Sequence, residues 1–138
     1  MIAFFLSMEP PTITQQEHAF KIVNGRVVVY DPPRLRDARQ KFMALLDRQR
    51  KSIEGHELIF PIEGPVRLIT KWIWPKGDLP CPDGTWKDTR PDTDNIIKLF
   101  KDCMTRTGWW TDDAQVASEI TEKFWGEVPG IYVKVELL

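Results

Sequence analysis

The sequence predicts a small single-domain α+β fold, in which one mixed sheet is covered mainly on one face by two main helices. The first observation is the length, because 138 residues suit one compact domain and are too few for two of typical size. The second is apolar alternation in several short segments, which indicates strands. The third is an apolar spacing of three and four in two longer segments, which indicates helices. We therefore expect one domain over residues 1–138, built around one core.

The amino-terminal half predicts strands followed by a long helix. An apolar run opens the chain and indicates a strand that ends at a pair of prolines. Residues 21–30 predict two short strands around Asn24-Gly25, a strong signal for a hairpin. An Asp-Pro-Pro start then introduces a helix from about 33 to 52, which carries an apolar stripe on its core side and basic residues on its flanks and outer side.

The carboxy-terminal half predicts strands around a second helix. Alternating residues from Val66 to Trp74 indicate a central strand. The proline-rich and glycine-rich stretch 75–91 predicts a loop whose unusual length suggests a functional role. A helix is expected from Thr93 to about Arg106. Two final strands, Val116 to Trp125 and Ile131 to Leu137, are expected to form a closing antiparallel pair.

The composition excludes several classes of protein. Cys81 and Cys103 have neither CxxC spacing nor a nearby pair of histidines, so neither a zinc site nor a disulfide framework is indicated. Reduced thiols favour a cytoplasmic location. No run of about 18 apolar residues is present, so we expect no membrane span. We also expect His18 and His56 to lie on the surface.

The charge distribution is uneven along the chain. The net charge of -1 and the pI of about 6.1 argue against a protein that binds nucleic acid with its whole surface. Segment 34–51, however, has seven basic and two acidic residues, a net charge of +5. Such a helix is either a solvated face or a phosphate-binding track, and both remain open. The candidate DNA-binding side chains are Arg34, Arg36, Arg39, Arg48 and Lys51, together with Arg90 beside the acidic segment that follows.

Acidic residues concentrate where the second helix begins and shortly after it ends. Asp92 and Asp94 are two positions apart at the start of the helix, and Lys98 lies one helical turn beyond Asp94. Asp113 follows the helix within an Asp-Asp pair. By themselves these acids are typical of helix capping and turns. If instead the three carboxylates converge on one metal site, they suit Mg²⁺, which prefers oxygen ligands and supports phosphodiester hydrolysis.

The acidic segment does not fit a calcium-binding EF-hand loop. Counting from Asp92, the sixth position is Ile97, where the loop needs glycine, and the twelfth is Cys103 instead of glutamate. A calcium loop is therefore excluded.

Two separated segments resemble one family signature. PDTDNIIK, followed by GWWTDDAQV, is similar to the RusA-type Holliday junction resolvases, in which D-x-D-N-x-x-K precedes W-x-D-D-A-Q-V. The resemblance implies a homodimeric endonuclease that cuts branched DNA such as a four-way junction. The residues it implies as catalytic are Asp92, Asp94, Lys98 and Asp113, of which the three aspartates would bind the metal. The loop 75–91 is longer and less arginine-rich than in shorter members, which leaves the choice between junction and flap open.

Two rival functions remain open from sequence, and so does the dimer interface. The acidic cluster could be structural in a non-catalytic DNA-binding module, or it could serve a different metal-dependent nuclease or phosphohydrolase. No glycine-rich phosphate loop favours the latter. For the dimer, the apolar side of the helix from Thr93 to Met104, with Trp109 and Trp110, is the expected interface core.

Overall fold

A computed structural model describes residues 1–12 and 19–138 of the chain. His18 lies outside the described residues, whereas His56 is exposed in a turn, as expected. The elements in chain order are β1 (Ile2–Leu6), β2 (Ala19–Val23), β3 (Arg26–Tyr30), α1 (Pro33–Ile53), β4 (Val66–Pro75), β5 (Thr85–Trp86), α2 (Thr93–Arg106), a 3-10 turn (Asp113–Gln115), β6 (Val116–Gly126) and β7 (Gly130–Leu137).

Five of the strands form a mixed sheet in the order β1-β7-β4-β6-β5, while β2 and β3 form a separate two-stranded ribbon. The predicted α+β class and the central position of β4 are confirmed. The predicted pairing of the last two strands with each other is wrong, because β4 lies between them, parallel to β6 and antiparallel to β7. Residues 127–129 make this possible, since three extended residues span roughly 10 Å, the width of two strand spacings.

The core lies between the two helices and one sheet face. Every second side chain of β4 is buried, from Val66 to Trp74. Phe42 of α1 contacts Trp72 at 5.8 Å and Phe100 of α2 at 5.3 Å, measured between ring centroids. Because both helices place aromatic rings against the same strand, the orientation of α2 on the sheet is fixed by packing.

The two tryptophans that follow α2 belong to this core. Trp109 and Trp110 are 0% and 1% exposed. The Trp109 ring stacks on Phe4 at 5.3 Å, and its indole nitrogen donates to the Leu46 carbonyl at 3.3 Å. The expectation that they and the apolar side of α2 form a dimer interface is therefore wrong. Folding of the single chain already buries that surface.

Arg39 joins the helices instead of facing solvent. Its side chain is 9% exposed and forms ion pairs with Asp31, at 3.1 Å, and with Asp102 of α2. Its backbone carbonyl also accepts a weak hydrogen bond from the Cys103 thiol at 3.9 Å. The expectation that Arg39 lies on the outer, DNA-binding side of α1 is corrected, because a buried guanidinium needs carboxylate partners and finds them here.

In the described ranges, neither helix combines the length and the apolar character needed to cross a membrane.

Cys81 and Cys103 are both free thiols, and burial raises the pKa of Cys103 to about 12.

Replacing Arg39 should destabilise the fold, whereas replacing the exposed Arg48 should not. We expect Arg39→Ala to lower the free energy of unfolding by about 2–4 kcal/mol, since it removes a buried cation from two carboxylates. Arg48→Ala, the matched control on the same helix, should change it by less than about 0.5 kcal/mol. Urea denaturation monitored by circular dichroism measures both values. Equal stability of the two variants would contradict the structural role of Arg39.

The two thiols should differ in reactivity. At pH 8 the buried Cys103, with its raised pKa, stays protonated and inaccessible, whereas Cys81 is partly exposed. A thiol-specific chromogenic reagent should therefore titrate one thiol per chain in the native protein and both after denaturation. Rapid labelling of both thiols without denaturant would show that Cys103 is accessible in the native protein and would contradict its burial.

Candidate active site

The site begins at the exposed amino terminus of α2. Asp92 occupies the N-cap position with an extended backbone, φ -67° and ψ 145°, yet its side chain makes no capping hydrogen bond. Asp94 lies in the first helical turn, and both aspartates are exposed. Capping therefore does not account for Asp92, and both carboxylates lie where the helix dipole favours negative charge. The pair is available to an external ligand.

Two exposed cations flank the acid pair. Arg90 precedes it, and Lys98 follows on the next turn of α2, four residues after Asp94. Residues four apart share one side of a helix, so the Lys98 ammonium lies on the same side of α2 as the Asp94 carboxylate. The surface thus combines anionic oxygens with positive charge, an arrangement suited to a metal ion and a phosphate group together.

Lys123 of β6 fixes the chain that leads into α2. Its ammonium donates to the carbonyls of Thr89 at 2.6 Å and Pro91 at 2.7 Å. Pro91 immediately precedes Asp92, so this contact positions the first residue of the acid pair. Nothing in the sequence pointed to Lys123, because its role depends on β6 lying beside β5 in the sheet.

Lys87 holds the same segment against two tryptophan rings of the sheet. Although charged, it is 7% exposed and lies 4.1 Å from the Trp125 ring centroid and 5.4 Å from that of Trp74. Its ammonium donates to the Thr89 hydroxyl at 2.5 Å. Burial lowers the pKa of Lys87, and the charge of Lys123 lowers it further, while Asp88 acts in the opposite direction. Two lysines and two tryptophans thus hold residues 87–91 as a platform for the acid pair.

Asp113 opens the 3-10 turn beyond α2. The preceding Asp112 accepts a hydrogen bond from the Ala114 backbone at 2.9 Å and forms a capping box with Gln115. Gln115 in turn donates to the carbonyls of Ile62 and Gly64 at 2.9 and 3.0 Å. Asp112 therefore has a structural function in this turn. The hydrogen bonds of Gln115 hold the turn against the loop that contains Ile62 and Gly64. Asp113, beside Asp112, is half-exposed.

The structure places Asp113 and the acid pair at opposite ends of α2. Trp110 donates to the Thr105 hydroxyl at 2.9 Å, which holds the 3-10 turn near the end of the helix. The ion pair of Lys101 with Glu119, at 2.7 Å, shows that α2 runs along β6. A helix of 14 residues is about 21 Å long, at 1.5 Å per residue. Over residues 1–12 and 19–138, no three His, Cys, Asp or Glu side chains lie close enough to hold a metal ion. The three carboxylates of one chain are therefore not brought together.

Five of the six predicted DNA-binding residues remain on the surface, with Arg39 the exception. Arg34 donates to the Thr12 hydroxyl at 3.3 Å, and Lys51 forms an exposed ion pair with Asp47 at 2.9 Å. The weak interactions of such exposed groups leave them free to bind phosphate. The five exposed basic residues are Arg34, Arg36, Arg48, Lys51 and Arg90.

Comparison with known proteins gives two matches. The model of the family described as endodeoxyribonuclease RusA matches residues 9–136. A curated relative, the crossover junction endodeoxyribonuclease rusA of Lactococcus phage r1t, is 24% identical over 116 residues, which cover 82% of this chain and 80% of the relative. The family match includes both acidic segments and the basic helix.

Removing the Lys123 ammonium should loosen the start of α2. In Lys123→Met, amide hydrogen exchange in residues 88–96 should accelerate by about tenfold or more, since each lost charged hydrogen bond contributes about 1.5–3 kcal/mol. Lys134→Met, which removes another β-strand lysine whose ion pair is with Glu136, is the control. Unchanged exchange in residues 88–96 would show that Lys123 does not position the acid pair.

Proposed function

The chain belongs to the RusA endodeoxyribonuclease family, and from this premise we propose that it is a magnesium-dependent endonuclease that resolves four-way junctions and related branched DNA. The observation that carries the proposal is the exposed Asp92–Asp94 pair at the start of α2, which lacks a capping bond and is followed by Lys98. The name of the phage relative supports the crossover junction as the substrate.

The acid pair fits a divalent metal ion. Mg²⁺ takes one or two carboxylates, retains several waters and accepts phosphate oxygens of the substrate, so two exposed aspartates form a suitable start of its coordination shell. When bound, the metal supplies an activated water and stabilises charge on the scissile phosphate. Asp92 and Asp94 would hold it. Lys98 would neutralise charge that develops on the phosphate oxygens.

We propose that Asp113 reaches this site from a second copy of the chain. Within one chain a whole helix separates it from the acid pair, as the contacts at the two ends of α2 require. In a two-fold dimer whose two α2 helices lie side by side and antiparallel, Asp113 of each copy would lie near the acid pair of the other. Such a dimer has two equivalent sites, which suits a substrate with near two-fold symmetry that needs two incisions.

The exposed basic side chains would bind the DNA backbone. Arg34, Arg36, Arg48 and Lys51 lie along the outer side of α1, and Arg90 lies next to the acid pair. Contacts of arginine and lysine with phosphates provide affinity without sequence specificity. This distribution fits an enzyme that recognises the shape of a junction.

The direct test is incubation of the protein with labelled four-way junction, flap and duplex DNA, with and without Mg²⁺. We expect paired incisions in the junction only when Mg²⁺ is present. Binding without any cleavage would instead support a DNA-binding module, and cleavage of linear duplex alone would support a different nuclease.

Neutralising one aspartate should separate cutting from binding. We expect Asp94→Asn and Asp113→Asn to lower the cleavage rate by about 10²–10³-fold or more, because metal binding is lost. Junction affinity should be retained or increased, since a negative charge beside the phosphate is removed. Gel-shift and cleavage assays measure both, with the exposed loop residue Asp78→Asn as a control. Equal loss of binding and cleavage in folded protein would contradict the assignment.

Mixing these two inactive variants should restore nicking. After subunit exchange, a heterodimer of Asp94→Asn with Asp113→Asn has one composite site with both aspartates intact and one with neither. Random exchange makes half of the dimers mixed, so about a quarter of the wild-type nicking rate is expected, without paired incisions. If each site lay within one chain, every site in the mixture would lack an aspartate and no nicking would return.

A further inference from the structure

In the described chain, one face of the five-stranded sheet carries no helix. Every second side chain of β4, from Val66 to Trp74, lies in the core, and the alternate ones point to the opposite face. Phe42 of α1 and Phe100 of α2 both contact Trp72, so both helices lie on the core side. In β1, Phe5 points away from the core and is 42% exposed. We call this opposite side of the sheet the uncovered face.

Aromatic rings cross the uncovered face in one row. Trp86 of β5 is 62% exposed, and its ring centroid lies 4.5 Å from that of Phe124 in β6. The next positions in the row are Ile73 of β4 and Gly130 of β7. The Phe5 ring of β1 lies against the bare backbone of Gly130, where a Cβ atom would overlap it. The row therefore runs from β5 to β1, over four strand spacings or roughly 19 Å.

A cation and a concave space lie beside this row. Lys71 of β4 is exposed, and its ammonium lies 5.9 Å from the centroid of the Tyr132 ring. Together with Phe124, these two side chains line a space of about 330 Å³. Asp83 lines it as well, and its carboxylate accepts a hydrogen bond from the Glu127 amide at 2.9 Å. The volume is at the small end of ligand sites, which suits a single nucleobase.

The charged side chains of the uncovered face have a net charge of +1. The strands place three cations and two anions on it, namely Arg67, Lys71, Lys134, Glu122 and Glu136. Glu136 is shared by Arg67 and Lys134, each at 3.0 Å. Lys71 forms no ion pair with a described residue, so its ammonium is available to an anion. Exposed aromatic rings with an available cation suit a ligand that combines flat apolar surfaces with negative charge.

The aromatic row ends where the chain turns toward the acid pair. Lys123 and Phe124 are consecutive residues of β6 and point to opposite faces of the sheet. Lys123 binds the Pro91 carbonyl just before the acid pair, at 2.7 Å, whereas Phe124 contacts Trp86. The backbone from Trp86 to the acid pair spans at most roughly 20 Å. A DNA strand that reaches the acid pair can therefore continue around this edge of the sheet onto the uncovered face.

We propose that the uncovered face binds an unpaired strand of the DNA substrate, with bases stacked on Trp86, Phe124 and Phe5 and a phosphate at Lys71. Paired bases in a duplex expose no ring faces for stacking, so the aromatic row favours a single strand. Aromatic rings on an open sheet, accompanied by cations, bind single strands with little sequence preference. The inference rests on the proposed endonuclease and specifies its substrate as branched DNA with unpaired nucleotides beside the branch.

The β2–β3 ribbon offers a second exposed surface and supplies matched controls. Phe20 is 67% exposed, and the Lys21 ammonium lies 5.1 Å from the Tyr30 ring centroid, much as Lys71 lies over Tyr132. Among the described residues, no hydrogen bond or ion pair joins the ribbon to the acid pair or to the uncovered face. The ribbon therefore has similar chemistry without the connection to the site.

Binding of a labelled oligothymidylate tests the stacking. The oligonucleotide has about twelve nucleotides, within the range of single-strand sites, and fluorescence anisotropy is measured without Mg²⁺. We expect Trp86→Leu to weaken binding by about 5- to 100-fold, because a base loses its aromatic partner while an apolar side chain still covers Phe124. Trp86→Phe should retain most of the affinity. Phe20→Leu, the matched control, should bind like the wild type, and circular dichroism checks the folding of each variant.

The salt dependence of the same binding tests the phosphate contact. Lys71→Met should reduce the slope of log affinity against log salt by about 0.7, the value for one phosphate of a single strand. Trp86→Leu should keep the wild-type slope, because stacking releases no counterions. Lys21→Met is the matched control, since it also removes a lysine that lies over a tyrosine ring. A slope that falls in Lys21→Met and not in Lys71→Met would assign the strand to the ribbon and overturn the inference.

Cleavage assays separate this inference from the proposed function. With Mg²⁺, Trp86→Leu should lower the rate on flap DNA relative to the rate on a fully paired junction. A wild type that cuts no DNA, yet binds oligothymidylate through Trp86, would overturn the endonuclease and support the strand-binding face. Cleavage of branched DNA with wild-type oligothymidylate binding in Trp86→Leu and Lys71→Met would overturn the inference alone. Unchanged oligothymidylate binding with lost self-association in Trp86→Leu would assign the face to a protein contact and also overturn it.

Discussion

The antiparallel alignment of α2 with β6 is the constraint on which the proposed active site depends. The crossover from β4 through α2 to the parallel strand β6 requires α2 to run opposite to both strands. The ion pair of Lys101 with Glu119 and the bonds of Lys123 to the start of α2 keep that alignment. The helix therefore separates its own acidic start from Asp113 by its full length, and a site that uses all three aspartates needs a second chain.

The buried cations show how the scaffold fixes these positions. Arg39 of α1 pairs with Asp102 of α2 and with Asp31 just before α1, and Lys87 lies against the Trp74 and Trp125 rings in the segment that leads to the acid pair. Burial of a charge is unfavourable unless carboxylates, hydroxyls or aromatic faces compensate for it. Both cations have such partners, so they rigidify the elements they join. Only part of the positive charge of the chain is thus left on the surface for DNA.

Unlike the buried cations, the Asp92–Asp94 pair is exposed. Two carboxylates close together repel each other when no cation is present, and the amino terminus of α2 and Lys98 offset this only in part. A domain that needed them for folding alone would bury or cap them, yet Asp92 is exposed and makes no capping bond. Asp112, beyond the other end of α2, is different, because its carboxylate forms a capping box with Gln115. The contrast between the capped Asp112 and the uncapped Asp92 supports a ligand-binding role for the acid pair.

Periodicity in the sequence was sufficient to predict the local structure. It predicted both helices and the central strand, the Asn24-Gly25 turn signal predicted the hairpin, and the two acidic segments identified the family and the candidate residues. These signals are local, because side-chain spacing reflects the geometry of a single element. The tertiary structure decided the rest: that β4 separates β6 from β7, that Arg39 and the two tryptophans are buried, and that Asp113 lies far from Asp92 and Asp94. Alternation along a strand shows which side chains face the core and carries no information about which strand lies beside it, so these long-range relations depend on how the elements pack.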